Sequence, residues 1–225
     1  MLNHRWDISV SEAVALQKEL AGSLVIRGMP GELKLLAGVD IAIRKNEQKA
    51  YCGIIVFSYP DLEVVEEAFL QGDLLFPYVP GLLSFREGPL FLETYRTLKV
   101  KPDLIVFDGQ GIAHPRKLGI ASHMSLFIGK PTIGCAKSRL YGTYEEPGNN
   151  RGDRSYLLDR DGVPIGIVLR TRDRTKPVFI SPGSGIGIDE SAVIMERCCG
   201  KYRIPIPTRE AHIRVGYYKK KERAL

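Results

Sequence analysis

Residues 101–122 read KPDLIVFDGQGIAHPRKLGIAS, and the rest of the chain is organised around this stretch. Its apolar run, Leu104–Phe107, is typical of a short β-strand that is buried on both faces. The run ends on Asp108, which is followed by a glycine-rich turn and a basic loop. An unpaired buried carboxylate is strongly unfavourable, so Asp108 needs a partner. It either caps the turn, as Asp often does before Gly, or is held by a metal ion or a set of strong hydrogen bonds.

Length and composition set the broad class of the protein. The chain has 225 residues and 44% hydrophobic content, enough for one sizeable core, so a single domain over residues 1–225 is expected. The formal net charge of +6 favours a polyanionic partner, although a merely basic protein has the same total. None of the four cysteines stands in a C-x-x-C pair, which argues against zinc and favours reduced thiols in the cytoplasm. No stretch approaches the length of a membrane span, so no membrane partner is expected.

The hydrophobic pattern predicts alternating blocks of strands and helices around the opening stretch. A first helix over 9–27 is indicated by the capping-box spacing of Ser9 and Glu12. Three strands with short turns then predict an antiparallel meander, and the strand–helix–strand order after residue 104 predicts a parallel crossover. The fold class is therefore α/β, with a mixed sheet flanked by helices. The further predicted strands cover 35–43, 50–59, 62–71, 132–136, 155–158, 165–171 and 178–181, and the further helices cover 89–98, 118–128, 189–199 and 207–223.

Three acidic residues stand at unusual places in this pattern. Asp40 interrupts the otherwise apolar strand LLAGVDIAI (35–43), Glu87 precedes a predicted helix, and Asp108 ends the strand described above. Glu87 has an alternative explanation, because a carboxylate near a helix N-terminus is favoured by the helix dipole. If the first and fourth strands are neighbours, Asp40 and Asp108 share one end of the sheet. Clustered carboxylates repel one another unless a cation lies among them, and oxygen ligands suit Mg²⁺ or Mn²⁺.

A stiff apolar loop precedes Glu87. Its sequence, FPYVPGLL (76–83), contains two prolines that remove backbone donors and restrict the chain. Apolar residues in such a loop usually pack into the core. The alternative is a rigid projecting tip that carries Tyr78.

Four motifs resemble those of the endonuclease V family of deoxyinosine-directed repair nucleases. They are PYVPGLLSFRE (77–87), PDLIVFDGQGIAHPRKLGIASH (102–123), PTIGCAKSRLYG (131–142) and PTREAHI (207–213). The resemblance begins at LAGVD (36–40) and covers nearly the whole chain. It implies a ribonuclease-H-like fold.

The resemblance also implies a role for each matched residue. Asp40, Glu87 and Asp108 match the family's metal-binding acids, and Lys137 and His212 match residues near the scissile phosphate and the metals. Taken alone, Lys137 would be a surface lysine and His212 a solvent-facing helix residue. Residues 77–80 match the strand-separating wedge, with Tyr78 at its tip. Arg116 is expected in the pocket wall or on phosphates, and the residues expected to line the base pocket are Gly81, Leu83, Gly109, His114 and Ile120.

The reaction that the resemblance implies is Mg²⁺-dependent hydrolysis of DNA at the second phosphodiester 3′ to deoxyinosine, with Mn²⁺ as a substitute. It would leave 3′-hydroxyl and 5′-phosphate ends and would be carried out by a monomer. Two alternatives stay open: a related nuclease that prefers inosine in RNA, and a nucleic-acid-binding protein without catalysis. The three acids favour a nuclease, because a binding protein does not need them.

Overall fold

The computed structural model describes residues 2–28, 31–43 and 48–222, and its centre is a mixed sheet of eight strands. The spatial order of the strands is β3-β2-β1-β4-β5-β8-β7-β6. β1 pairs with β4 and β4 with β5 in parallel, whereas the other neighbouring pairs are antiparallel. The strands are β1 Leu35–Ile43, β2 Lys49–Ser58, β3 Val64–Asp73, β4 Leu104–Phe107, β5 Thr132–Ala136, β6 Arg154–Leu158, β7 Pro164–Leu169 and β8 Val178–Pro182.

In the described part of the chain, five helices cover the sheet. One apolar cluster includes residues of β1, β4, α4 and α5, and a second includes the alternate residues of β1 and β4 together with α2 and α3. Because successive residues of a strand point to opposite faces, these two clusters lie on the two sides of the sheet. The predicted mixed α/β architecture is therefore confirmed. The helices are α1 Val10–Ala21, α2 Leu83–Thr97, α3 Ile120–Ile128, α4 Ile188–Arg197 and α5 Ile206–Lys221.

The last helix packs unusually close to the central strand β1. A Cβ atom at Gly38 would lie 2.1 Å from the carbonyl oxygen of Pro207, so only glycine allows this approach. Gly38 and Asp40 share one face of the strand because they are two residues apart. α5 therefore crosses the same face from which the Asp40 side chain projects.

The first helix is shorter than predicted. It begins after the Ser9 capping box, as expected, but ends at Ala21 rather than near Arg27. The residues after the helix form hydrogen bonds with a distant loop instead of continuing the helix. The Val25 amide donates to Ser184 Oγ (3.0 Å), and the Val25 carbonyl accepts from the Gly185 amide (2.7 Å). These long-range contacts explain why the helix ends before residue 27, the end that the apolar pattern predicted.

Two other helix starts also differ from the prediction. α2 begins at Leu83 and carries Pro89 inside it, so placing the start near Pro89 was wrong. α3 begins at Ile120 because Gly119 is extended and donates its amide to the Gly111 carbonyl (3.0 Å). A Cβ at Gly119 would lie 2.3 Å from the Gln110 carbonyl, which keeps this loop tightly folded against the end of β4.

Two further features are the state of the cysteines and the character of the helices. Cys52, Cys135, Cys198 and Cys199 are all buried free thiols. Within the described ranges, none of the helices has both the length and the apolar character needed to cross a bilayer.

Candidate active site

Two acidic residues meet at one edge of the sheet. Val39 of β1 is in register with Phe107 of β4, and the Asp108 amide donates to the Val39 carbonyl at 3.3 Å. Asp40 and Asp108 therefore stand side by side where these parallel strands end their pairing. The Asp40 side chain is only 11% exposed. Burial, and next the charge of Asp108, raise the pKa of Asp40 above its usual range.

Glu87 adds a third carboxylate from α2. Glu87 is the fifth residue of α2 and lies past its first turn. A favourable interaction with the helix dipole therefore does not explain a carboxylate at this position. Burial raises the pKa of Glu87 to about 8, and the charges of Asp40 and Asp108 act in the same direction. The three predicted acids therefore interact electrostatically, although they come from three separate elements.

Two basic side chains contact these acids. The Lys137 ammonium donates to Asp108 Oδ2, and it lies just after the end of β5, the strand next to β4. His212 Nδ1 lies 3.1 Å from Asp40 Oδ2, which α5 makes possible by crossing β1. The Lys137 carbonyl in turn accepts from Arg203 Nη2 at 2.6 Å. Both residues that were ambiguous from sequence thus lie against the acid cluster.

The carboxylates do not form a finished metal site. Across residues 2–28, 31–43 and 48–222, no three His, Cys, Asp or Glu side chains have a metal-binding arrangement. Instead, the Lys137 ammonium group forms an ion pair with Asp108, and the His212 ring contacts Asp40. The donor set is nevertheless suited to a hard divalent cation, because it consists of oxygens whose mutual repulsion a cation would relieve. The metal assignment stays a prediction.

A cavity of 370 Å³ opens beside Asp108. Loops after β3, β4 and β5 form its wall. All five residues predicted for a base pocket line it, together with Asp108 and Lys137. The other lining residues that bear on the chemistry are Gln17, Tyr78, Gln110, Gly119, Ser138 and Arg139.

Tyr78 projects from the loop that forms the rim of this cavity. Its side chain is 70% exposed, and Pro77 and Pro80 are exposed beside it. Val79 instead packs partly against the cluster of Phe76, Leu82 and Phe85. The alternative that Tyr78 belongs to the core is therefore wrong.

His114 lines the cavity, whereas Arg116 lies behind its lining and contacts the backbone of Gly81. His114 Nε2 and Arg116 Nη2 each lie 2.9 Å from the Gly81 carbonyl oxygen. Burial, and next the charge of Arg116, lower the pKa of His114 to about 4, so its ring is neutral at pH 7. The Gly81 carbonyl oxygen therefore already accepts hydrogen bonds from the protein itself.

Gln17 is a residue of the cavity wall that the sequence prediction missed. It is 1% exposed and donates from Nε2 to the Gly81 carbonyl at 2.9 Å. A signal was present: Gln17 lies between Ala13 and Leu20 on the buried face of α1. A polar residue at a core position of an amphipathic helix indicates a specific buried partner.

Comparison with known proteins identifies the group to which this fold and site belong. A model of the family described as Endonuclease V matches residues 18–213. The chain belongs to the endonuclease V family. The Endonuclease V of Kosmotoga olearia is 47% identical over 210 residues, which are 93% of this chain and 92% of that protein.

Solved endonuclease V structures share the fold. The Streptomyces avermitilis enzyme is 39% identical with a TM-score of 0.90, and the match covers 96% of each chain. The Ciona intestinalis Endonuclease V, solved with a 24mer DNA containing an inosine followed by a ribo-adenosine, is 25% identical with a TM-score of 0.85. That match covers 94% of this chain and 98% of the other. The predicted ribonuclease-H-like fold is thereby confirmed, and the protein is a nuclease of the endonuclease V family.

Proposed function

We propose that this protein hydrolyses DNA at the second phosphodiester 3′ to a deoxyinosine, leaving 3′-hydroxyl and 5′-phosphate ends. The observation that carries the proposal is the position of the cavity, whose wall includes Asp108 of the acid cluster. A base held in the cavity would lie beside the carboxylates. The distance between the cavity and the acid cluster would then determine which phosphodiester bond of the strand is cut. The inosine-containing DNA bound by the Ciona intestinalis relative supports the same substrate class.

The chemistry of hypoxanthine explains how such a cavity would select its base. Hypoxanthine offers an O6 acceptor and an N1–H donor, which one backbone N–H and one backbone C=O can pair. Adenine reverses this pattern and would leave both backbone groups unpaired, at about 1–3 kcal/mol each. Guanine has the same pattern but carries a 2-amino group that a tight pocket excludes. An inosine pair is weak, so its extrusion from the duplex costs less than that of a normal pair.

The acid cluster would hold the divalent cation. Asp40, Glu87 and Asp108 would supply the oxygens. Burial, and next the charges of neighbouring acids, raise the pKa values of Asp40 and Glu87, and a bound cation would favour their carboxylate forms. Mg²⁺ is the expected ion, with Mn²⁺ as a substitute. When bound, it supplies activation of the attacking water and charge stabilisation at the leaving oxygen.

The remaining residues would position and neutralise the substrate. Lys137, which is 41% exposed and lines the cavity, is a point charge for the scissile phosphate. His212 would orient the Asp40 carboxylate through the contact of its Nδ1 with Asp40 Oδ2. Tyr78, which is 70% exposed in the segment Pro77–Pro80, would fill the gap left by an extruded base and stack on its neighbour.

A nuclease that prefers inosine in RNA is the second candidate. The DNA bound by the Ciona intestinalis relative carries a ribonucleotide directly after the inosine, so a 2′-hydroxyl is accepted there by that protein. Three otherwise identical strands separate the candidates: all-DNA, all-RNA, and DNA with one ribonucleotide after the inosine. A higher kcat/KM on the all-DNA strand supports the proposal, whereas cleavage of the all-RNA strand alone supports the alternative. Inosine binding without cleavage of any strand would instead favour a non-catalytic binding protein.

A further inference from the structure

The carbonyl oxygen of Gly81 accepts three hydrogen bonds. Gln17 Nε2, His114 Nε2 and Arg116 Nη2 each lie 2.9 Å from it. A carbonyl oxygen has two lone pairs, so three donors saturate it. Gly81 directly follows the wedge segment, defined here as Pro77–Pro80, and its φ of +80° is a conformation that glycine adopts without strain.

Gln17 connects this carbonyl to two other parts of the chain. Its Nε2 also donates to the Leu118 carbonyl at 2.9 Å, and its Oε1 accepts from Arg116 Nε at 2.5 Å. Both amide hydrogens and the amide oxygen are therefore used inside the protein. α1, the loop after β4 and the base of the wedge segment meet at this one side chain.

The arrangement around His114 fixes which ring nitrogen carries the proton. His114 Nδ1 accepts from the Arg116 amide at 3.1 Å, so Nε2 is the nitrogen that donates to Gly81. Arg116 completes the ring of contacts by donating to both Gln17 and Gly81. Replacing Gln17 with an apolar residue removes one donor from Gly81 and the acceptor that orients the Arg116 guanidinium.

We propose that Gln17 is a positioning residue that locks the wedge segment, so that Tyr78 stays rigid while it separates duplex DNA. The inference rests on the proposed function of this cavity. The two DNA strands tend to pair again around an inserted ring, and a flexible loop would be displaced and allow this. A loop that is already rigid before DNA binds keeps the ring inserted and pays no ordering cost on binding, which is the general benefit of preorganisation. In single-stranded DNA the base is already free, so the lock matters little.

The matched pair of variants is Gln17→Met and Lys18→Met, two adjacent positions on α1. Gln17→Met keeps the side-chain length but removes all three hydrogen bonds, whereas Lys18 is exposed. The ratio of cleavage rates on duplex and single-stranded inosine DNA is the readout. We expect Gln17→Met to lower the duplex rate about tenfold and the single-strand rate less than about twofold, since small displacements of positioned groups have large kinetic effects. Lys18→Met should leave both rates unchanged.

A second variant separates the two donor contacts of Gln17 from its acceptor contact with Arg116. Gln17→Glu keeps the acceptor for Arg116 but removes both donors, and it places a carboxylate oxygen against the Gly81 and Leu118 carbonyls. It should show the same preferential loss on duplex DNA. Melting temperatures of all variants are measured on the same preparations.

Hydrogen exchange tests the lock without any substrate. The Leu82 amide donates to the Val79 carbonyl at 2.9 Å, so its exchange rate reports whether this turn stays closed. We expect faster exchange at Leu82 in Gln17→Met than in the wild type, with no change in Lys18→Met. If the wild type fails to cut inosine DNA, the proposed function is wrong, and the exchange result alone decides the lock.

Two results would overturn the inference. One is an unchanged exchange rate at Leu82 in Gln17→Met. The other is an equal loss on duplex and single-stranded DNA together with a lowered melting temperature, which would assign Gln17 a purely structural role.

Discussion

Asp40 and Asp108 each follow one member of a registered residue pair, Val39 and Phe107, on two neighbouring parallel strands. Parallel strands lie about 4.8 Å apart, so this register places two carboxylates at the same height on the edge of the sheet. Burial, and next the charge of Asp108, raise the pKa of Asp40, as expected for a buried carboxyl group beside a second one. The register between β1 and β4 therefore creates the acid cluster.

Replacing Tyr78 should affect duplex DNA most. We expect Tyr78→Ala to lose much more activity on duplex inosine DNA than on single-stranded inosine DNA, because stacking on an exposed base contributes about 1–3 kcal/mol. Tyr78→Phe should keep most of the activity, since the flat ring does the stacking. The side chain is 70% exposed, so neither change should lower the melting temperature. Rates on both substrates and the melting temperature, measured together, check this; equal losses with a lowered melting temperature would refute the wedge.

Acid should destabilise the protein through His123. This side chain is buried between Ser84 Oγ (2.9 Å from Nδ1) and His4 Nε2 (2.8 Å from its own Nε2). Burial, and next the charge of His4, lower the pKa of His123 to about 3. The folded state therefore stays neutral while the unfolded chain takes up a proton near pH 6.5. Stability is lost as pH falls from about 6.5 towards 3, by at most about 1.4 kcal/mol per pH unit for this one proton.

The comparison that isolates this effect is His123→Gln against the wild type. Urea unfolding at pH 7 and pH 5 should show a smaller loss of unfolding free energy in the variant, by up to about 2 kcal/mol. His114 and His4, whose pKa values burial also lowers, are present in both proteins. Equal losses in the two proteins would show that His123 does not stay neutral in the folded state.

The end of α5 should contribute weak, sequence-independent contacts with DNA. Lys220 and Lys221 lie in its last turn, whereas Lys219 donates to the Ile43 carbonyl at 3.0 Å. Each phosphate contact contributes about −0.9 to the slope of log K against log salt, so Lys220→Ala with Lys221→Ala should make the slope shallower by up to about 1.8. The preference for inosine over adenine should not change. A salt slope equal to that of the wild type would show that these lysines do not touch DNA.

The sequence predicted the parts of the site that local pattern can reveal. Asp40 and Asp108 stood out because a carboxylate inside or directly after an apolar strand needs a partner. Their proximity was predicted only on the condition that the first and fourth strands are neighbours, and the structure shows that they are. The partners of Gln17 and the early end of α1 could not be predicted in the same way. Both depend on contacts with residues more than sixty positions away, such as Gly81 for Gln17 and Ser184 for Val25. Periodicity within one helix contains no information about such partners.

The central claim is that the acid cluster cuts inosine DNA with a divalent cation. The most direct test measures nicking of one inosine-containing duplex by the wild type and Asp108→Asn, each with Mg²⁺ and with EDTA. We expect the wild type to nick the duplex only with Mg²⁺, at the second phosphodiester 3′ to the inosine. Asp108→Asn should bind the same duplex in Ca²⁺ but not cut it. Near-normal nicking by Asp108→Asn, or by the wild type in EDTA, would contradict the account.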